Sequence, residues 1–95
     1  MNKKDELALK EIADHYGVAK QNIKCIEEMA ELTQVLSKIY NNPFCGEMYE
    51  HIAQEIADVS IMLKQLIYLY RCKGEVNEIM HQKIARQLER IKDEP

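Results

Sequence analysis

The sequence predicts an all-α fold built from four helical segments, and three observations carry that expectation. No run alternates apolar and polar residues as a half-buried strand would. The apolar-periodic stretches are rich in Leu, Ala, Glu, Lys and Met, all good helix formers. Gly17, Gly46 and Gly74 stand far apart, and each follows such a stretch and suits a helix end or turn. With Asn41-Asn42-Pro43 ahead of Gly46, they divide the chain into segments near 4–16, 19–40, 47–72 and 75–92.

The first segment closes at Gly17 and carries the acid pair Glu11/Asp14 largely away from its apolar face. The second has an apolar stripe through Leu32, Val35 and Ile39. The third is apolar nearly all round: Tyr49, Ile52, Ile56, Ile61, Leu63, Ile67, Tyr68 and Leu69 point in many directions. A helix of that kind is buried on every side. Four short helices cannot cover it alone, so the subunits are expected to associate. The fourth has a stripe of Val76, Met80, Ile84 and Ile91, with Lys83 and Arg90 at its rim. Met29, Met48, Met62 and Met80 read as core filler at helical spacing. The short loop Asn41–Gly46 makes the second and third segments antiparallel neighbours, a central hairpin.

At 95 residues and 11.1 kDa the chain is one domain's worth of sequence, residues 1–95, with no repeat or low-complexity tract. Hydrophobic residues make up 46% and charged residues 31%, too apolar for disorder and too polar for a membrane protein. Apolar runs are short, and Met1-Asn2-Lys3-Lys4-Asp5 has no apolar stretch behind it for export. Cys25, Cys45 and Cys72 lack CxxC spacing and read as cytosolic thiols, so a cytoplasmic protein without a membrane partner is expected. A net charge of −3 argues against retention on nucleic acid by bulk charge. Nucleotides need only local cations. No Cys/His pair has zinc-ligand spacing, no nucleophile elbow surrounds Ser37 or Ser60, and the scattered glycines rule out a GxGxxG or Walker loop.

Acids spaced three apart share a helix face. Glu11/Asp14, Glu28/Glu31, Glu47/Glu50, Glu55/Asp58 and Glu75/Glu78 are such pairs, where composition alone predicts roughly two or three, so position on the helix must decide. With Glu28 at zero and about 100° per residue, Val35 falls near −20°, Ile39 near +20°, Leu32 near +40° and Glu31 near −60°. With Glu55 at zero, Met62 falls at about −20°, Met48 and Leu66 at about +20°, Val59 at about +40° and Asp58 at about −60°. Both helices place one acid inside the apolar stripe and a second on its rim. Glu31 and Glu55 lie about twelve residues either side of the loop centre, and Glu28 and Asp58 about fifteen, so each pair is nearly level across the hairpin. Four carboxylates converge on one interior patch. Unpaired, they would repel and be costly to bury. Either basic side chains of the fourth segment neutralise them, or a divalent cation does. Hard oxygen donors without histidine or thiolate suit Mg²⁺ or Mn²⁺.

At this point the sequence resembles the MazG-like all-α nucleoside triphosphate pyrophosphohydrolases. Their signature, EExxE followed by a spacer and ExxD, reads here Glu27-Glu28-Met29-Ala30-Glu31, 23 residues, then Glu55-Ile56-Ala57-Asp58. His15-Tyr16-Gly17 before it, and the stretch from Lys83 to Arg90 after it, extend the likeness over nearly the whole chain. The resemblance implies a four-helix MazG-like bundle, a homodimer or homotetramer, and metal ligands at Glu28, Glu31, Glu55 and Asp58. Glu27, near −100° by the same increment of about 100° per residue, turns away from the patch and reads as an outer residue. The family's basic pair on the last helix falls on Lys83 and Arg90, with Gln87 where an asparagine is usual. The chemistry implied is Mg²⁺-dependent (or Mn²⁺-dependent) hydrolysis of the α–β phosphoanhydride of a nucleoside triphosphate to monophosphate and pyrophosphate, a nucleotide house-cleaning reaction. One of the four acids, or Glu27, would orient the water. Two other readings stand beside it: a phosphoribosyl-nucleotide pyrophosphohydrolase, and a non-catalytic helical interaction module whose acids form salt bridges.

Overall fold

The structure, a computed structural model, describes residues 1–43 and 46–95; the loop aromatic Phe44 and the thiol Cys45 lie outside the described residues. It is all-α: α1 spans Lys3–Asn41, α2 Gly46–Leu69 and α3 Lys73–Asp93. No described helix is long and apolar enough to cross a membrane.

The Asn2 side chain caps α1 by accepting from the Asp5 N–H at 2.8 Å, and Asp5 and Glu6 place negative charge at the positive end of the helix dipole. The first two expected segments are one helix with a break inside it. Gly17 has φ 83 and ψ 167, a region open in practice to glycine alone, and the chain changes direction there. Gly46 and Gly74, expected at helix ends, lie instead in the first turns of α2 and α3. The left-handed position closing α2 belongs to Arg71, φ 53. Its turn satisfies the last carbonyls of α2: Arg71 N–H donates to Tyr68 O and Cys72 N–H to Ile67 O, each at 3.1 Å.

Three hydrogen-bonded side-chain pairs tie α1 to the far end of α2 and the residue just after it, on either side of the break. Before it, the Tyr68 hydroxyl donates to both oxygens of Asp14 at 2.9 and 2.8 Å. After it, Gln21 Nε2 donates to Gln65 Oε1 at 2.7 Å and the Tyr70 hydroxyl to Asn22 Oδ1 at 2.9 Å. The bend at Gly17 therefore lets both arms of α1 lie against α2. Between them sits a small core of Leu9, Ala13, Cys25, Val59 and Met62, with Gln21, Gln65 and Glu28 as its buried polar members.

Burial stops there. On α2 only Val59, Met62 and Gln65 are buried, while Tyr49, Ile56, Ile61 and Leu63 are exposed. Of the four methionines read as core filler, Met62 is buried and Met48 half-buried, but Met29 and Met80 are exposed. Among the described residues helix α3 makes close packing contact with α2 alone, and none of its own residues is buried. One chain thus builds a kinked α1–α2 hairpin and a third helix beside it. Its radius of gyration of 16.4 Å exceeds the ~12 Å of a compact chain of this length.

Candidate metal centre

Helical periodicity carries Glu28 and Glu31 to one face of α1, and Glu55 projects toward them from α2. One carboxylate oxygen from each lies within 4.8 Å of the others. Glu28 is buried at 7% exposure, Glu55 half-buried and Glu31 exposed. Two oxygens, Glu28 Oε2 and Glu55 Oε2, are shut off from solvent without a hydrogen-bond partner.

Among the described residues one cation pairs with this group. Lys24, four residues before Glu28, places its Nζ 3.0 Å from Glu28 Oε1. The hydrogen bond and charge of Glu28 hold the Lys24 ammonium above its ordinary range. The Glu31 carboxyl is pushed above the usual carboxylate range, first by the negative charge of Glu28, then by desolvation and by Glu55; Lys24 pulls the other way. Lys24 is absent from the motif, but its i,i+4 spacing to Glu28 is the ordinary signal of a helical ion pair.

The other expected site residues stand apart. Asp58 is exposed, on the rim of the α2 stripe, and is outside the group of three. Glu27 is exposed on the outer side of α1. Lys83, Gln87 and Arg90 are exposed on α3, which among the described residues makes no close packing contact with α1, the helix that carries Glu28 and Glu31.

The donor set fits a hard divalent cation. All three donors are carboxylates, and two of their oxygens are shut off from solvent with no hydrogen-bond donor among the described residues. Oxygens on one Mg²⁺ at ~2.1 Å are at most ~4.2 Å apart, so a slight closure from the present spacing suffices. Glu28, Glu31 and Glu55 would hold the ion, with solvent or substrate oxygens filling the rest of its shell. Comparison with protein families, with curated proteins and with solved structures returns no match, so the chemical reading rests on the motif and this geometry.

Proposed function

We propose that this protein is a divalent-cation-dependent nucleoside triphosphate pyrophosphohydrolase of the MazG-like kind, releasing pyrophosphate from (deoxy)nucleoside triphosphates. The observation that carries the reading is the pair of buried, unpartnered oxygens, Glu28 Oε2 and Glu55 Oε2, at the stripe positions of the EExxE and ExxD motifs. Orphaned buried carboxylate oxygens are costly in a purely structural role and useful when a cation binds. A bound cation would neutralise phosphate charge and lower the pKa of a coordinated water. Glu28, Glu31 and Glu55 would hold that ion, and one of the four motif acids, or Glu27, would orient the attacking water.

The resemblance implies that Lys83, Gln87 and Arg90 bind the substrate phosphates, and that role calls for a second copy of the chain. Within one chain α3 packs only on α2 among the described residues, so we infer that α3 supplies these groups to a site formed on association.

The test is pyrophosphate release from a panel of nucleoside triphosphates and a phosphoribosyl-nucleotide, with and without Mg²⁺. Glu28→Gln and Glu55→Gln should abolish release in a folded protein. Preference for the phosphoribosyl-nucleotide would select that related activity. Release from neither substrate would leave the interaction-module reading, which the Lys24–Glu28 ion pair and the exposed apolar faces favour.

A further inference from the structure

At the end of the hairpin remote from the acids, a cavity of about 630 Å³ opens between the first arm of α1, the last turns of α2 and the start of α3. Gln65 on its wall follows Glu55 by ten residues, or ~15 Å along α2. Lys10, Lys64, Arg71 and Lys73 line this cavity, against two carboxylates, Glu6 and Asp14. Asp14 is already engaged, since both its oxygens accept from the Tyr68 hydroxyl. Among the described residues none of the four cations is paired: the ion pairs are Lys24–Glu28 and Lys92–Glu89. A chain of net charge −3 therefore presents a cationic concavity, the arrangement that concentrates anions.

Arg71 supplies an independent observation. It occupies the left-handed position of the turn that closes α2, with φ 53, where glycine is the usual residue. An L side chain there weakens folding, and such strain is retained where the side chain has a use. The cavity is the place where it would have one. Lys10 is steered over the Tyr68 ring, 5.7 Å from its centroid, and Tyr68 is in turn held by Asp14. Leu9, Ile67 and Leu69 add apolar wall beside this charge. Gln65 is 2% exposed and lines the cavity, and its Oε1 accepts from Gln21 Nε2.

We infer that this cavity is a second ligand site, separate from the acids, that takes a small phosphorylated organic molecule. Its volume lies within the ~300–1,000 Å³ of small-molecule sites and suits a mononucleotide. The phosphate sits against Arg71 and Lys73, where the guanidinium fork makes paired hydrogen bonds to its oxygens, and the organic portion lies on the apolar wall. The inference holds whether or not the acids catalyse hydrolysis.

The test titrates adenosine monophosphate and inorganic phosphate into the full chain by calorimetry. EDTA keeps the acid group free of metal. Saturable binding of the monophosphate is expected, tighter than that of inorganic phosphate. Arg71→Gly should weaken it by about tenfold or more, while raising Tm by a few degrees, about 4 °C, because glycine relieves the turn. Arg71→Lys, which keeps the charge but not the fork, should fall between the wild type and Arg71→Gly, Lys73→Met should lose about as much as Arg71→Gly, and Glu28→Gln should change nothing. No saturable binding to the wild-type chain, equal affinity for inorganic phosphate, or unaltered affinity in both Arg71→Gly and Lys73→Met would overturn the assignment.

Discussion

Lys24 Nζ lies 3.0 Å from one oxygen of Glu28, and the other oxygen of the same carboxylate is buried without a partner. The lysine is more than half exposed and so neutralises the group only from its edge. Toward Glu55 the site has no counter-charge among the described residues, and that imbalance sets the first prediction.

Glu55→Gln removes an uncompensated charge from beside Glu28 and Glu31 while conserving shape. In EDTA the variant should be more stable than the wild-type chain by about 1 kcal/mol. Adding Mn²⁺ should stabilise the wild-type protein, by ~2.7 kcal/mol at a hundredfold excess over its Kd, and leave the variant nearly unaffected. Thermal scans of both proteins with EDTA and with Mn²⁺ measure this, and an equal Mn²⁺ response in the two would remove Glu55 from the ligand set.

Tyr68 provides a pH signature. Its phenol is held above its ordinary value of 10.0 because the hydroxyl donates to Asp14, with desolvation and the Asp14 charge acting in the same direction. The folded chain therefore favours the protonated phenol. The stability this contributes is fully present below pH 10.0 and is lost as pH rises through the higher folded-state value. Subtracting the alkaline absorbance titration of Tyr68→Phe from that of the wild-type protein isolates this group. Its midpoint should lie above 10.0 and fall in Asp14→Asn; coincident midpoints in the two backgrounds would show that the hydrogen bond does not form in solution.

Gly17 tests the break in α1. A Cβ built there meets nothing within 4 Å, so any penalty for Gly17→Ala comes from the backbone at φ 83 and not from crowding. A residue forced into that region loses on the order of 1–3 kcal/mol. Urea denaturation should show a loss of that size. An unchanged or raised midpoint would mean that residue 17 does not hold this glycine-only conformation and that α1 runs on without the break.

The contrast between Glu28 and Asp58 shows how far the sequence was legible. Glu28 lies among Leu32, Val35 and Ile39 by the helical increment, and it is buried. Glu31 and Glu55, level across the hairpin, do meet. Asp58 was equally level with Glu28, but axial level does not make two side chains face each other, and a rim position on α2 leaves it in solvent. Helix content was legible because periodicity and propensity agree along the chain. The turn at Arg71 was not, because glycine is the residue that propensity places in a left-handed turn and Gly74 stood close by. Nor was the position of α3, whose amphipathic pattern states that it needs a partner but not which one.

That missing partner leads to the last prediction. A compact monomer of 11.1 kDa exposes about 5,700 Å², whereas this chain exposes 7847 Å². The excess of roughly 2,000 Å² per chain is at least what one partner contributes to a large, stable interface. It is also apolar in kind: Ile79, Met80, Ile84, Leu88 and Ile91 on α3 are 48–61% exposed, and Ile23 and Ile26 on α1 reach 61% and 62%. Self-association is the simplest way to cover these surfaces, since a homo-oligomer brings identical unpartnered faces together. Sedimentation at micromolar concentration in EDTA should therefore give a dimer or tetramer mass, and Ile84→Glu with Leu88→Glu should dissociate it. The charged variant should also lose pyrophosphate release if Lys83 and Arg90 act across the interface, whereas Glu28→Gln should lose release and stay associated. A monomeric wild-type chain would separate the two ideas, leaving the acid group to be judged on its metal binding alone and α3 without the neighbour its apolar face requires.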